Sequence, residues 1–168
     1  LQRWLDCAMH FNIDIFHTID ADDPFFDGDE MKSSMKILQE DGLDMVSPTE
    51  SSSAGGASVG YSLTTDVVKR ACNGLDKDTD TEMMWYYIAE VSNLRIKVLP
   101  ETRVDISNMR LTLDYKEDYW LLESVRRILG NLTNRDKVNQ LFVSNPEMYK
   151  INWFRNEEWK AGQQAKKI

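Results

Sequence analysis

Cysteine and histidine are both scarce, with two of each among 168 residues. Cys7 and Cys72 lack metal-ligand spacing and cannot build a disulfide framework. Each falls in a helix-like context, so both are expected as reduced, buried thiols of a cytosolic protein. Neither has a neighbouring base in sequence, which argues against a thiol nucleophile. Of the histidines His10 and His17, His17 falls in a strand-like stretch and reads as a sheet-face residue rather than a base. Positive charge is also short: 20 Lys and Arg stand against 28 Asp and Glu, a net charge of −8. That excludes nonspecific binding to nucleic acid or to an anionic membrane, both of which need a basic face. A polyanionic nucleotide can still bind such a protein if Mg²⁺ bridges the two. No run approaches the ~20 apolar residues of a membrane span, and no secretory leader is recognisable, so the cytoplasm is the expected compartment. No Gly-Lys-Ser/Thr ending marks a Walker-type phosphate loop. No internal repeat is visible. There is no initiator Met either: Leu1 already stands inside an amphipathic pattern, as expected of a fragment or a processed product.

Hydrophobic residues make up 42% and charged residues 29%, which suffices for one soluble domain with a real core. Leu1, Trp4, Leu5, Ala8 and Met9 recur at helical spacing, and Asn12 stops that helix. Ile13 to Ile19 is strand-like. Asp27 or Asp29 can cap a helix running to about Glu40, which Asp41-Gly42 ends. Leu43 to Val46 reads as a short buried strand. Helix, strand, helix, strand suggests parallel α/β units. Ser47 to Ser58 is a Ser/Gly-rich, flexible loop, read either as a substrate loop or as a plain linker. A strand at Val59 to Leu63, a helix from Thr64 or Thr65 to Cys72, a helix at Thr81 to Val91 and a strand at Leu94 to Leu99 follow. Asp76 to Asp80 is an acidic turn without the Gly and Glu of a calcium loop. Met109 to Leu113 reads as a strand, Tyr115 to Leu129 as a helix closed by Gly130, and Asn134 to Phe142 as another. Asn145-Pro146 opens the last helix, and the polar end from Lys160 to Ile168 is expected to fray.

Two of these strands end in acid. The first runs into Asp20-Ala21-Asp22-Asp23-Pro24, the other into Asp114. If both strands share a sheet and a direction, the carboxylates meet at one rim. Two carboxylates plus substrate phosphates make an ordinary Mg²⁺ site. The competing reading of the first cluster is a solvated turn that caps the following helix.

Four features in this order resemble the cytidylyltransferase family. They are the Asp20-to-Pro24 stretch, the serine/glycine loop, Thr81-Glu82, and Arg110-Leu111-Thr112-Leu113-Asp114-Tyr115-Lys116-Glu117-Asp118. That family includes the CMP-Kdo and CMP-sialic acid synthetases. The nearest look is to its spore coat polysaccharide branch, whose tail Asn145-Pro146-Glu147 and Ile151-Asn152 also resemble. The resemblance implies a nucleotide-diphospho-sugar transferase-like α/β fold, with a mixed, mostly parallel sheet flanked by helices. It implies transfer of CMP from CTP to a sugar hydroxyl, with Mg²⁺ as cofactor and an acidic or modified sugar, for surface polysaccharide, as substrate. Asp22 and Asp114 match the catalytic, metal-binding acids. Ser52, Ser53, Gly55, Gly56, Glu82 and Arg110 fall where substrate is bound, although Met83 stands where the family's Glu is followed by His.

The family's N-terminal nucleotide-binding loop, rich in Gly with Arg and Lys, has no counterpart in the chain. The resemblance therefore implies one partial domain over residues 1–168, with 131–168 a helical C-terminal extension. Exposed apolar surface would then favour association, as a homodimer or with a complementing N-terminal segment. Trp153, Phe154 and Trp159 are candidates for such an interface. The alternative function is a non-catalytic binding or assembly module that keeps the fold without the nucleotide loop. A glycosyltransferase using Asp20 and Asp22 as an Asp-x-Asp metal motif is a third reading.

Overall fold

The structure is a computed structural model that describes residues 1–76, 78–103 and 108–165. The last residues of the expected fraying end, and residue 77 of the acidic turn, lie outside the described residues.

Helix α1 (Gln2–Phe11) closes on Asn12, which takes the left-handed conformation at φ 53° and donates its amide to Ala8 and Met9 carbonyls. Strand β1 (Ile15–His17) follows, then helix α2 (Gly28–Glu40), capped by Asp27, whose Oδ1 accepts from the amides of Asp29 and Glu30. Strand β2 (Met45–Ser47) leads into a wide turn, Ser52–Gly56, and back through strand β3 (Ser62–Thr64). Thr64 caps helix α3 (Thr65–Cys72), after which come helix α4 (Met84–Ala89) and strand β4 (Ile96–Val98). Helices α5 (Lys116–Leu129), α6 (Arg135–Ser144) and α7 (Arg155–Ala165) complete the described chain, with a 3₁₀ turn at Met148–Ile151.

The sheet order is β1-β3-β2-β4. β3 pairs antiparallel with both β1 and β2, while β2 and β4 are parallel. The expectation of a mostly parallel sheet is therefore corrected at the level of pairing, since two of the three pairings are antiparallel. The cause is the connection after β2. It carries no α-helix to cross over the sheet, so the chain turns back and inserts β3 between its predecessors. β1, β2 and β4 nevertheless point the same way, so their carboxyl ends share one rim.

Successive residues of β2 face opposite layers, as strand geometry requires. Met45 packs with Leu63, Val67, Val68 and Ile88, so α3 and α4 cover one face of the sheet. Val46 packs with Leu38, Val59 and Leu99, which places α2 on the other. A third cluster joins Met109, Leu111, Leu121, Val125, Val138 and Phe142 beside the sheet. Thus α6, from the C-terminal segment, contributes Val138 and Phe142 to the core.

Two further expectations are corrected. Met109 to Leu113 is not a ladder strand: the Leu111 amide donates to the Gly55 carbonyl at 2.7 Å and the Leu113 amide to the Asp22 carbonyl at 3.0 Å. The segment is extended but sutures two loops. Cys7 is exposed, since it lies on the polar side of α1, while Cys72 is half-buried; both are free thiols.

Candidate active site

The common rim carries a cleft of about 540 Å³. Thr18 and Asp20 reach it from the end of β1, Pro48, Ser52 and Ser53 from the end of β2, and Val59, Gly60 and Tyr61 from the start of β3. This is where open α/β sheets place ligands, because there the strands end and loops diverge. The loops approach so closely that Gly60 has no room for a side chain: a Cβ there would lie 1.8 Å from the Thr18 carbonyl oxygen. The Tyr61 amide donates to Thr18 Oγ1 at 2.9 Å and the Thr18 amide to the Tyr61 carbonyl at 2.8 Å, locking the two loops together.

Acid crowds one side of the cleft. Asp20, Asp22, Asp23 and Asp114 all line it, with Glu82 also on its wall. Burial, and after it the charges of Asp20 and Asp22, push the Asp23 carboxyl up to about 7, against the lowering effect of a hydrogen bond with Thr112. Burial and the charge of Asp22 raise Asp20 as well. His17, in β1, is driven the other way, to about 4, by burial alone, so its imidazole is neutral. Its Nδ1 lies 2.8 Å from Ser62 Oγ.

The later motif is built around a buried charge. Arg110 is fully buried, and its Nε donates to Asp118 Oδ1 at 3.0 Å while Nη2 donates to Asp118 Oδ2 at 3.1 Å and to Asp114 Oδ2 at 2.6 Å. Asp118 Oδ2 also accepts the amides of Asp114 and Tyr115 at 3.0 Å each, which caps α5. Asn152 Nδ2 donates to the Arg110 carbonyl at 2.9 Å and to Asp118 Oδ1 at 2.8 Å. The rings of Tyr115 and Trp159 flank the guanidinium at 5.3 and 5.4 Å. The i, i+4 and i, i+8 spacing of Arg110, Asp114 and Asp118 thus fixes the turn that presents Asp114 at the cleft.

Asp22 and Asp114 both line the cleft, and the Leu113-to-Asp22 hydrogen bond holds their backbones together. Ser53, Gly55 and Glu82 line it too. Ser52 lines it with its hydroxyl committed elsewhere: Oγ donates to the Val59 carbonyl at 3.2 Å and accepts the amides of Ser58 and Val59 at 3.0 Å each. Gly56 is not among the lining residues; it packs where a Cβ would meet the Ser51 carbonyl oxygen at 2.6 Å. Arg110 is likewise absent from the lining, fully buried behind Asp114.

The serine loop is also not a flexible linker. Gly55 through Val59 are buried, the Ala57 amide donates to the Ser52 carbonyl at 3.0 Å, and Arg135 Nη1 donates to the Gly56 carbonyl at 2.5 Å from behind. Gly55 holds φ 123°, a conformation that favours glycine, and a Cβ there would sit 3.2 Å from Asn156 Oδ1.

Sequence reasoning did not assign Asp23, Thr112, Trp4, Tyr61, Trp85 or Trp159 to the site. Asp23 was visible as one more acid in the cluster. Trp159 had no local signal, because only the path of the C-terminal segment brings it to the cleft. Among the described residues no three Asp, Glu, His or Cys side chains converge tightly enough to hold a metal ion by themselves. A hard ion such as Mg²⁺ accepts one or two protein carboxylates when substrate phosphates complete its shell, and the donor set Asp22 and Asp114 fits that mode.

No protein-family model matches the sequence, and no curated protein matches it. In fold the chain is similar to a solved cytidylyltransferase from Leptospira borgpetersenii, with a TM-score of 0.73 and 21% identity, covering 88% of this chain and 63% of that one. The chain thus spans less than two thirds of that structure's length. Likeness at this identity establishes the fold, a cytidylyltransferase-like mixed α/β sheet flanked by helices.

Proposed function

We propose that the chain carries the sugar-side half of a nucleotidyltransferase site, in which a hydroxyl of a modified sugar attacks the α-phosphorus of CTP and pyrophosphate leaves. The supporting observation is that Asp22 and Asp114, remote in sequence, line one cleft at the carboxyl rim of the sheet. Bound by these two carboxylates, Mg²⁺ would neutralise phosphate charge and orient the nucleotide. The chain's own residues do the rest. Arg110 and Thr112 hold Asp114 Oδ2 in one orientation. The buried serine turn offers a backbone wall, and Trp4, Trp85 and Trp159 supply apolar surface to the cleft. Nucleotide sugars of this kind supply surface polysaccharide, and a homodimer or an N-terminal segment would complete the nucleotide side.

Pyrophosphate release from CTP by the natural protein, with sugar and Mg²⁺, tests this. Asp22→Ala and Asp114→Ala should each lower turnover by about 100-fold or more, with unchanged circular dichroism. Wild-type turnover in either variant would refute the assignment. A non-catalytic binding module instead predicts sugar binding without any pyrophosphate release.

A further inference from the structure

We propose that Glu101 and Arg135 are positioning residues for the cleft: they grip the two ends of the serine turn and hold it in the shape in which Ser53 and Gly55 line the site. This rests on the reading of the cleft as a transferase site and names what shapes its wall. The backbone of the turn is strained. Within three positions Gly55 stands at φ 123° and Ala57, which has a side chain, at φ 44°. A non-glycine residue persists in the left-handed region only where its surroundings impose it.

Two remote segments impose it. At the entry, Glu101, beyond β4, accepts the Ser51 amide at 2.8 Å on one carboxylate oxygen and the Ser51 hydroxyl at 3.0 Å on the other. At the exit, Arg135, the first residue of α6, donates from Nη1 to the Gly56 carbonyl at 2.5 Å, and its Nε donates to Asn139 at 3.0 Å. The fit is close: a Cβ on Gly56 would lie 3.0 Å from Arg135 Nη2. Arg135 is 5% exposed, and burial pushes its guanidinium down to about 10, so it is still charged at neutral pH. Burying a cation carries a large desolvation penalty, and a space that needed only filling would be better filled by Met or Leu. What the guanidinium adds is direction, a planar fork of donors set on one backbone carbonyl.

The grip reaches the site through the backbone. The Gly55 carbonyl accepts the Leu111 amide at 2.7 Å, and the Leu113 amide donates to the Asp22 carbonyl at 3.0 Å. Turn, Asp114 segment and acidic loop are thus laced in series. Asp114 keeps its own anchor in Arg110, so a relaxed turn disturbs the wall made by Ser53 and Gly55 before it disturbs the carboxylate. Loss of the grip should therefore weaken sugar affinity more than it slows turnover.

Amide hydrogen exchange of the natural protein tests the grip. The Ala57 and Leu111 amides, which donate to the Ser52 and Gly55 carbonyls, should exchange about tenfold faster in Glu101→Ala and in Arg135→Met, while amides of α3 keep their wild-type rates. Arg135→Lys, which keeps the charge and can still donate to the Gly56 carbonyl, should restore rates to within about threefold of wild type. Glu101 is exposed, so Glu101→Ala decides the matter if Arg135→Met does not fold. In pyrophosphate assays with CTP, Mg²⁺ and N-acetylneuraminate or 3-deoxy-D-manno-octulosonate as probe sugar, Glu101→Ala should raise the sugar KM about five- to tenfold with kcat within about twofold. Unchanged exchange at Ala57 and Leu111, exchange that rises equally throughout the protein, Arg135→Lys behaving as Arg135→Met does, or a fall in kcat at constant KM overturns the proposal. Wild-type protein that releases no pyrophosphate defeats the transferase reading alone, and exchange at the two amides then still decides whether Glu101 and Arg135 hold the turn.

Discussion

At the scale of single residues, Asp23 carries the sharpest consequence. A carboxyl whose folded pKa lies above its unfolded value binds its proton more tightly when folded. Its contribution to stability is therefore complete below the ordinary carboxylate range and is lost as pH rises from about 4 to about 7. His17 works in the opposite sense. Its folded pKa is depressed to about 4, so its contribution is present above the usual imidazole range and is lost as pH falls through 4. The two partly cancel in the wild-type profile, and only a difference measurement isolates either. In EDTA, Asp23→Asn should stabilise the protein by about 1–2 kcal/mol near pH 8, a figure discounted for the partial solvation of the group, and should leave it unchanged near pH 4. Urea melts at the two pH values read this directly. A gain of equal size at both would mean that Asp23 is not under electrostatic stress.

At the scale of elements, the junction between residues 110 and 118 shows why a motif can be recognisable for structural reasons. Arg110 and Asp118 are both fully buried, and removing one partner leaves the other charge uncompensated. Asp118→Ala should therefore cost about 3–5 kcal/mol and fray the first turn of α5, since the same carboxylate caps the Asp114 and Tyr115 amides. Replacing both members, Arg110→Met with Asp118→Leu, should lose less than the single change. Chemical denaturation that ranks the double variant below the single one would overturn the ion-pair account. The helices were legible in the sequence because their signals are local: Asp27 before α2, Thr64 before α3, and the 3.6-residue stripe of Leu121, Leu122 and Val125 in α5. The strands were legible only as apolar stretches. Each is three residues long, and nothing within Ser62–Thr64 encodes that it will slot between β1 and β2. Met109 to Leu113 misled for the same reason. Its extended, mostly buried pattern is real, but its partners are the Gly55 and Asp22 carbonyls rather than a neighbouring strand.

At the scale of the whole molecule, the site depends on three regions that only the fold brings together: the acidic loop, the serine turn and the C-terminal segment. The acids were legible because carboxylates that follow an extended apolar stretch are a local pattern, whether or not that stretch pairs in the sheet. The walls were not, because Trp4 and Trp159 come from opposite ends of the chain. The segment after α6 is the tie. Asn152 satisfies the Arg110 carbonyl and Asp118, Asn156 accepts from Arg110 Nη1 at 3.4 Å beside Gly55, and Arg155 clamps Glu117 at 3.0 and 3.1 Å. Tolerance to truncation follows from burial and hydrogen bonding, not from position in the sequence, and by that measure this end is not dispensable. A chain ending after Glu147 would take the Asn152 donor from the Arg110 carbonyl and from Asp118 Oδ1, which keeps only Arg110 Nε. Each buried group left without its partner costs about 1–3 kcal/mol, so the shortened chain should lose about 3 kcal/mol or more in urea. It should also lose the Trp159 wall of the cleft, which weakens sugar binding. Asn152→Ala, which removes the hydrogen bonds but keeps the ring, should reproduce part of the stability loss while retaining the wall. If the shortened chain melts at the wild-type urea concentration and binds sugar equally well, the C-terminal helices are an appendage and the cleft is complete without them.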